Sequence, residues 1–165
     1  MMKPIERSLY LAGPFFNPEQ LAEIQMVEGL CEKLKVTCIS PRKFLVLPPK
    51  ASWQDRQLVF QKNCSSIMSS ELVLACIDGQ GSLDPGTVWE MGYAFAMAHP
   101  VVCFTLNGKK MNVMLAQGCH GFLENEEQLM KFITGKAGDY SIMKEKDKWW
   151  DWDWQEAQKW RKDIY

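Results

Sequence analysis

Apolar and polar positions change period several times along the chain. "SLYLAG" (8–13) is a short apolar run that stops at Gly, the pattern of a buried strand. In the following "PFFNPEQLAEIQMVEGLCEKLK", Leu21, Ile24, Val27, Leu30, Cys31 and Leu34 recur at helical spacing. Asn17 supplies a cap for that helix, Pro18 its first position and Gln20 its third. "VTCIS" (36–40) predicts a second strand. "PRKFLVLPPKASW" (41–53) has three prolines and no period, so it reads as a loop whose apolar side chains suit a cover. "SWQDRQLVFQKNCSSIMSS" (52–70) predicts a helix and "ELVLACID" (71–78) a strand. "GQGSLDPG" is a loop, "TVWEMGYAFAMA" (87–98) a helix and "VVCFTL" (101–106) a strand. "NVMLAQG" (112–118) and "ENEEQLMKFITG" (124–135) predict two more helices.

Strands and helices alternate in units of about thirty residues, which predicts an α/β fold with a mostly parallel sheet and helices on both faces. The 165 residues suit one domain, and 47% hydrophobic residues can fill its core. No repeat or second domain is visible. A net charge of −1 leaves no basic stripe for nucleic acid. The N-terminal "MMKPIERSLYLAG" lacks the apolar run of a signal peptide, and no stretch reaches the ~20 apolar residues of a membrane span. The six cysteines show no CxxC spacing and read as reduced, mostly buried small hydrophobes of a cytoplasmic protein. His99 and His120 lack ligand spacing, so no metal site is expected. Cys119 and His120 are chain neighbours, which rarely aim at each other, and do not read as a catalytic pair. In the tail "KDKWWDWDWQEAQKW", four Trp (149, 150, 152, 154) separated by Asp suit an interface segment, with base stacking as the alternative.

In a parallel α/β sheet the site lies at the carboxyl ends of the strands. "YLAGPFF" and "IDGQGSLDPG" leave their strands there, so Tyr10–Phe16 and Asp84–Glu90 should face each other across one crevice. Glu90 has two readings. "TVWE" is a capping box, with Thr87 as cap and Glu90 bonding back to it. A carboxylate in the first helical turn is also kept ionised by the helix dipole, as a nucleophile must be. Asp84 has a turn-forming reading before Pro-Gly beside any chemical one.

"YLAGPFF", "DPGTVWEMGYAFA" and the later "NVM" together resemble the nucleoside 2-deoxyribosyltransferase family, over nearly the whole chain from Tyr10 to Tyr165. The resemblance implies a flavodoxin-like, three-layer domain with about five strands. It implies that Glu90 is the nucleophile, that Asp84 binds the base and helps its protonation, and that Tyr10 positions Glu90. Asn112 would reach the sugar 5′-hydroxyl in a neighbouring subunit's site, and Tyr165 would close over the site. Gly13, Phe16, Gly86 and Met114 fall at further substrate-binding positions. Asn63 stands where the family often carries an Asp that contacts the base. Asn cannot relay a proton, so here it would only hold the base.

The implied reaction moves a 2-deoxyribosyl group between purine or pyrimidine bases through an ester on Glu90, by the logic of retaining glycosidases. It needs no metal or cofactor. Its substrates are 2′-deoxynucleosides and free nucleobases, and the implied assembly is a homo-oligomer, a dimer or a hexamer of dimers. Phe15, Phe16 and Trp89 would exclude water, or else pack the core. One alternative is an N-glycoside hydrolase of deoxynucleosides or their 5′-monophosphates, although "AGPFFNP" offers a phosphate no Ser, Arg or Lys. "PGTVWE" is also similar to the PGGxGTxxE element of cytokinin-activating phosphoribohydrolases, but lacks a Gly. The remaining alternative is a non-catalytic nucleotide-sensing module.

Overall fold

The computed structural model describes residues 8–44, 47–77, 83–108 and 111–134. Five strands, β1 (Ser8–Ala12), β2 (Thr37–Ile39), β3 (Leu72–Cys76), β4 (Val101–Phe104) and β5 (Gly121–Leu123), form one sheet. Their order is β2-β1-β3-β4-β5 and every pairing is parallel. This is the flavodoxin-like order, which reverses direction between β1 and β3. The helices are α1 (Pro18–Lys33), α2 (Trp53–Ser69), α3 (Pro85–Ala96), α4 (Val113–Gly118) and α5 (Glu126–Ile133).

Alternation along each strand divides the core into two layers. Leu9 and Leu11, with Leu74, Val102 and Phe104, pack against Ile24, Val27 and Cys31 of α1 and Leu129 and Ile133 of α5. Tyr10 and Ala12, with Val73, Ala75, Val101 and Cys103, pack against Ile67 of α2, Met91 and Ala94 of α3 and Ala116 of α4. Tyr10 therefore points to the α2–α3 side because Leu9 and Leu11 point to the other.

The strand and helix assignments from sequence hold in most places. The α1 cap is as expected: Asn17 accepts from Gln20 N at 2.9 Å, while the Gln20 side chain accepts from Phe16 N at 2.9 Å. Three differences have local causes. The strand "GFL" escaped notice because three residues show no period. The stretch 41–53 begins with a single 3₁₀ turn, Pro41–Lys43, which is anchored. Arg42 and Lys43 both ion-pair with Glu28, a carboxylate buried on α1. The third difference is the start of α3, two residues earlier than expected, at Pro85.

Candidate active site

Two helices bring polar side chains to the sheet by the same device. On α3, Thr87, Met91 and Ala94 are buried, and Glu90 lies on that same stripe at spacing i, i+3, i+4, i+7. On α2 and its C-cap, Ser66, Ile67 and Ser70 are buried, and Asn63 occupies the matching first slot. Both stripes face the layer that contains Tyr10.

The three side chains meet. The Tyr10 hydroxyl donates to Glu90 Oε1 at 2.5 Å, and Asn63 Nδ2 stands 3.5 Å from the same oxygen. Burial pushes the Glu90 carboxyl up to about 7; the Tyr10 hydrogen bond opposes this, and the charge of Asp84 adds to it. Burial, then the charge of Glu90, pushes the Tyr10 phenol well above its ordinary range, so Tyr10 remains a donor. The Cys64 thiol, beside Asn63 on α2, is raised by burial and by Glu90. The sequence counts Cys64 only among the small hydrophobes; its position next to Asn63 on α2 was the available signal that it neighbours Glu90.

Two expectations about Glu90 are overturned. The cap of α3 is Asp84, whose Oδ2 accepts from Thr87 N at 2.7 Å and from the Thr87 hydroxyl at 2.9 Å. Thr87 is therefore the third helical residue and not the cap, and Glu90 makes no capping box. Nor does the helix terminus hold Glu90 ionised: it sits in the second turn, where desolvation outweighs the dipole.

The same geometry explains the two glycines. A Cβ at Gly86 would lie 3.0 Å from Asp84 Oδ2, inside the cap. A Cβ at Gly13 would meet Ile24 Cδ1 at 2.7 Å and Cys76 Cβ at 3.0 Å, where the end of β1 passes between α1 and β3. Among the described residues, both hydrogen bonds of Asp84 fall on Oδ2 and none on Oδ1.

Other candidates stand apart. Asn112 caps α4 by accepting from Leu115 N at 3.1 Å and makes no hydrogen bond to Tyr10, Asn63 or Glu90 among the described residues. Met114 is 78% exposed and Phe16 75% exposed, so neither is a core residue. Trp89 is 45% exposed and stacks on Tyr93 at 5.2 Å with Phe60 at 5.1 Å, on the outer face of α3. Phe16 and Trp89 therefore do not pack the core. Tyr165 and the Trp-rich tail lie outside the described residues. His120 Nδ1 faces Val101 N at 3.1 Å and the buried Cys119 thiol faces Ala116 O at 3.4 Å, so each is engaged away from the other. All six cysteines are free thiols. Among the described residues no group of three His, Cys, Asp or Glu could hold a metal ion, and no helix is long and apolar enough to cross a membrane.

Comparison with known proteins identifies the fold and the family. A solved 2-deoxyribosyltransferase from Bacillus psychrosaccharolyticus is 28% identical, with a TM-score of 0.69, over 82% of this chain and 95% of that one. A 2-deoxyribosyltransferase from Leishmania mexicana, 20% identical with a TM-score of 0.61 over 79% and 99%, shares the fold. So does a CMP N-glycosidase from Clostridium botulinum, 15% identical with a TM-score of 0.54 over 76% and 98%. No curated protein sequence matches the chain. The nucleoside 2-deoxyribosyltransferase family model matches residues 9–146, a span that holds Tyr10, Asn63, Asp84 and Glu90, and the chain belongs to that family.

Proposed function

We propose that the protein transfers the 2-deoxyribosyl group of a 2′-deoxynucleoside from one nucleobase to another by double displacement on Glu90. The observation that carries this reading is the 2.5 Å bond from Tyr10 to Glu90, which holds a largely desolvated carboxyl in a fixed position beside the sheet. In the first step the C1′–N bond breaks through an oxocarbenium-like transition state and the electron pair leaves with the base. That base takes a proton by way of Asp84 or a water held there, and the Glu90 carboxylate forms the C1′ ester. An incoming base then attacks C1′ through a ring nitrogen, gives up its N–H proton by way of Asp84 or the same water, releases Glu90 as the carboxylate and restores the original stereochemistry. Partial burial of Glu90 raises its nucleophilicity at the cost of its ionised fraction, so activity should rise through neutral pH. Free thiols fit a reducing, cytoplasmic setting in which deoxynucleosides are salvaged. The assembly is a homo-oligomer with shared sites, supported by the exposed aromatic face of α2 and α3.

The test is incubation of deoxyinosine or thymidine with free adenine, followed by chromatography. The expected product is deoxyadenosine; free base and free deoxyribose alone would instead identify a hydrolase. Glu90→Ala should lower transfer by several orders of magnitude with the fold intact, as for loss of a covalent nucleophile. In the wild type, denaturing mass spectrometry after mixing with deoxynucleoside alone should find a deoxyribosyl adduct on Glu90. A Glu90→Ala protein that transfers normally refutes the assignment.

A further inference from the structure

The last turns of α1 and the edge strand β2 present two thiols to each other. On α1, Ile24, Val27 and Cys31 form one buried stripe against the sheet. On β2, Cys38 is in register with Leu9 of β1, and in-register residues of a parallel pair point to the same side. Leu9 packs against α1, so Cys38 does as well, and it joins the apolar cluster that holds Cys31. The connection between them is tight: Val36 N donates to Cys31 O at 2.9 Å, with Lys35 in the left-handed region at φ 56°. Each thiol is the other's hydrogen-bond partner. The pair sits beside the ion pairs that anchor the 3₁₀ turn, where Lys43 Nζ is 3.6 Å from Glu28 Oε2. Cys31 is fully buried, whereas Cys38 is half-buried at the sheet edge.

We propose that Cys31 and Cys38 are a redox modification site, at which hydrogen peroxide converts the two thiols into a disulfide that ties α1 to β2. The Cys38 sulfur, which solvent reaches, attacks one peroxide oxygen as a thiolate. An S–O bond forms, the O–O bond breaks and the other oxygen leaves as water after taking a proton. The Cys31 thiolate then attacks the Cys38 sulfur. The S–S bond forms, the S–O bond breaks, and the departing hydroxide takes the second thiol proton. Two thiols and one peroxide thus give one disulfide and two waters; each sulfur loses one electron and the peroxide gains both. The surroundings favour the thiolate form of the pair. The hydrogen bond with Cys38 lowers the Cys31 thiol, burial opposes this, and the Lys43 charge lowers it further while Glu28 raises it. The proton that remains is shared between the sulfurs, so negative charge reaches the exposed one. Cys103 and Cys119 are also partners, but they are 0% and 2% exposed in the opposite core layer, which makes them an internal control. This site is independent of the transferase reading.

The test treats the folded, full-length protein with hydrogen peroxide, blocks the remaining thiols by alkylation in denaturant and digests with trypsin without reduction. Trypsin cuts after Lys33 and Lys35, between the two cysteines, so the disulfide is read as peptide 8–33 joined to peptide 36–42. That linked species is expected, with Cys103 and Cys119 recovered alkylated, and dithiothreitol should separate it. A bond closing so short a loop still restricts the unfolded chain, so the oxidised protein should melt about 5 °C higher and return to its original value on reduction. Cys38→Ala should show neither the linked peptides nor the shift. Recovery of Cys38 as a sulfinic acid with no linked peptide overturns the proposal. So does linkage of Cys103 to Cys119 at an equal rate, linkage that forms only in urea, or a lowered melting temperature in the oxidised protein.

Discussion

Glu90 occupies a slot on α3 between Thr87, Met91 and Ala94, all of which are buried. Its carboxyl is raised from an ordinary 4.5 to about 7. The native state thus holds this proton more tightly than the unfolded chain does. The stabilising contribution is fully present below the unfolded value, declines as pH rises from about 4.5 to about 7, and is absent above. Glu90→Gln cannot ionise, yet still offers Tyr10 an acceptor. It should therefore stabilise the protein at pH about 8, by up to about 3 kcal/mol, and change little at pH about 4. Urea unfolding of both proteins at the two pH values checks this; an equal difference at both would mean that Glu90 is solvated in the native state. Such a trade of stability for reactivity is what the proposed role of Glu90 as a buried nucleophile would impose. This much was legible in the sequence: "GTVWEMGYA" marks Glu90, and the period of the flanking residues turns it inward. Its ionisation was not legible, because it is set by burial in the folded core and by the hydrogen bond from Tyr10 on β1, which is distant in sequence and brought close only by the fold.

At the scale of the element, the start of α3 decides which carboxylate does what. Two registers compete in "DPGTVWE", since Asp and Thr are both good caps. Pro85 settles the matter: it suits the first helical position, which makes Asp84 the cap and frees Glu90 from any capping duty. A periodicity argument beginning at the first apolar residue misses this because the first turn of α3 is Pro-Gly-Thr. Under the proposed reaction Asp84 has a second duty beside the cap, and two substitutions separate them. Asp84→Asn keeps a competent cap, so its stability should stay close to wild type, while Asp84→Ala should lose about 1 kcal/mol. Both remove the negative charge that raises Glu90, so both should move the acidic limb of the transfer profile to lower pH. Asp84→Asn should also slow donors whose base needs a proton, and spare a deoxyribosyl nitrophenyl ether, whose leaving group does not. Thermal melts and pH profiles on both donor types are the measurements; equal losses on the two donors would leave Asp84 as a cap alone.

At the scale of the whole molecule, alternating strands and helices predict a parallel sheet, and the observed order puts the exits of β1 and β3 side by side at the point where the winding reverses. That explains why "YLAGPFF" and "DPGTVWE" meet. A single chain, however, leaves Asn112 capping α4 and exposed, away from Glu90's hydrogen-bond partners, and it leaves Phe60 52% and Trp89 45% exposed on the outer face of α2 and α3. An aromatic face of this kind suits the centre of a subunit interface. The sequence could show which residues are apolar but not that these ones remain uncovered, since helical faces are sorted only by packing. If a second copy covers the face and Asn112 serves its partner's site, each site takes Glu90 from one chain and Asn112 from the other. Glu90→Ala and Asn112→Ala would then each be nearly inactive alone. Mixed in equal amounts after mild dissociation, they would form hybrids in which one site holds both intact residues and the other holds neither. With random reassociation into two-fold dimers, half the dimers are hybrids, and about a quarter of wild-type activity should return. Tagged chains and native mass spectrometry establish that exchange has occurred. Exchange without recovered activity, or a fully active monomer in sedimentation, would confine Asn112 to capping α4 within its own chain.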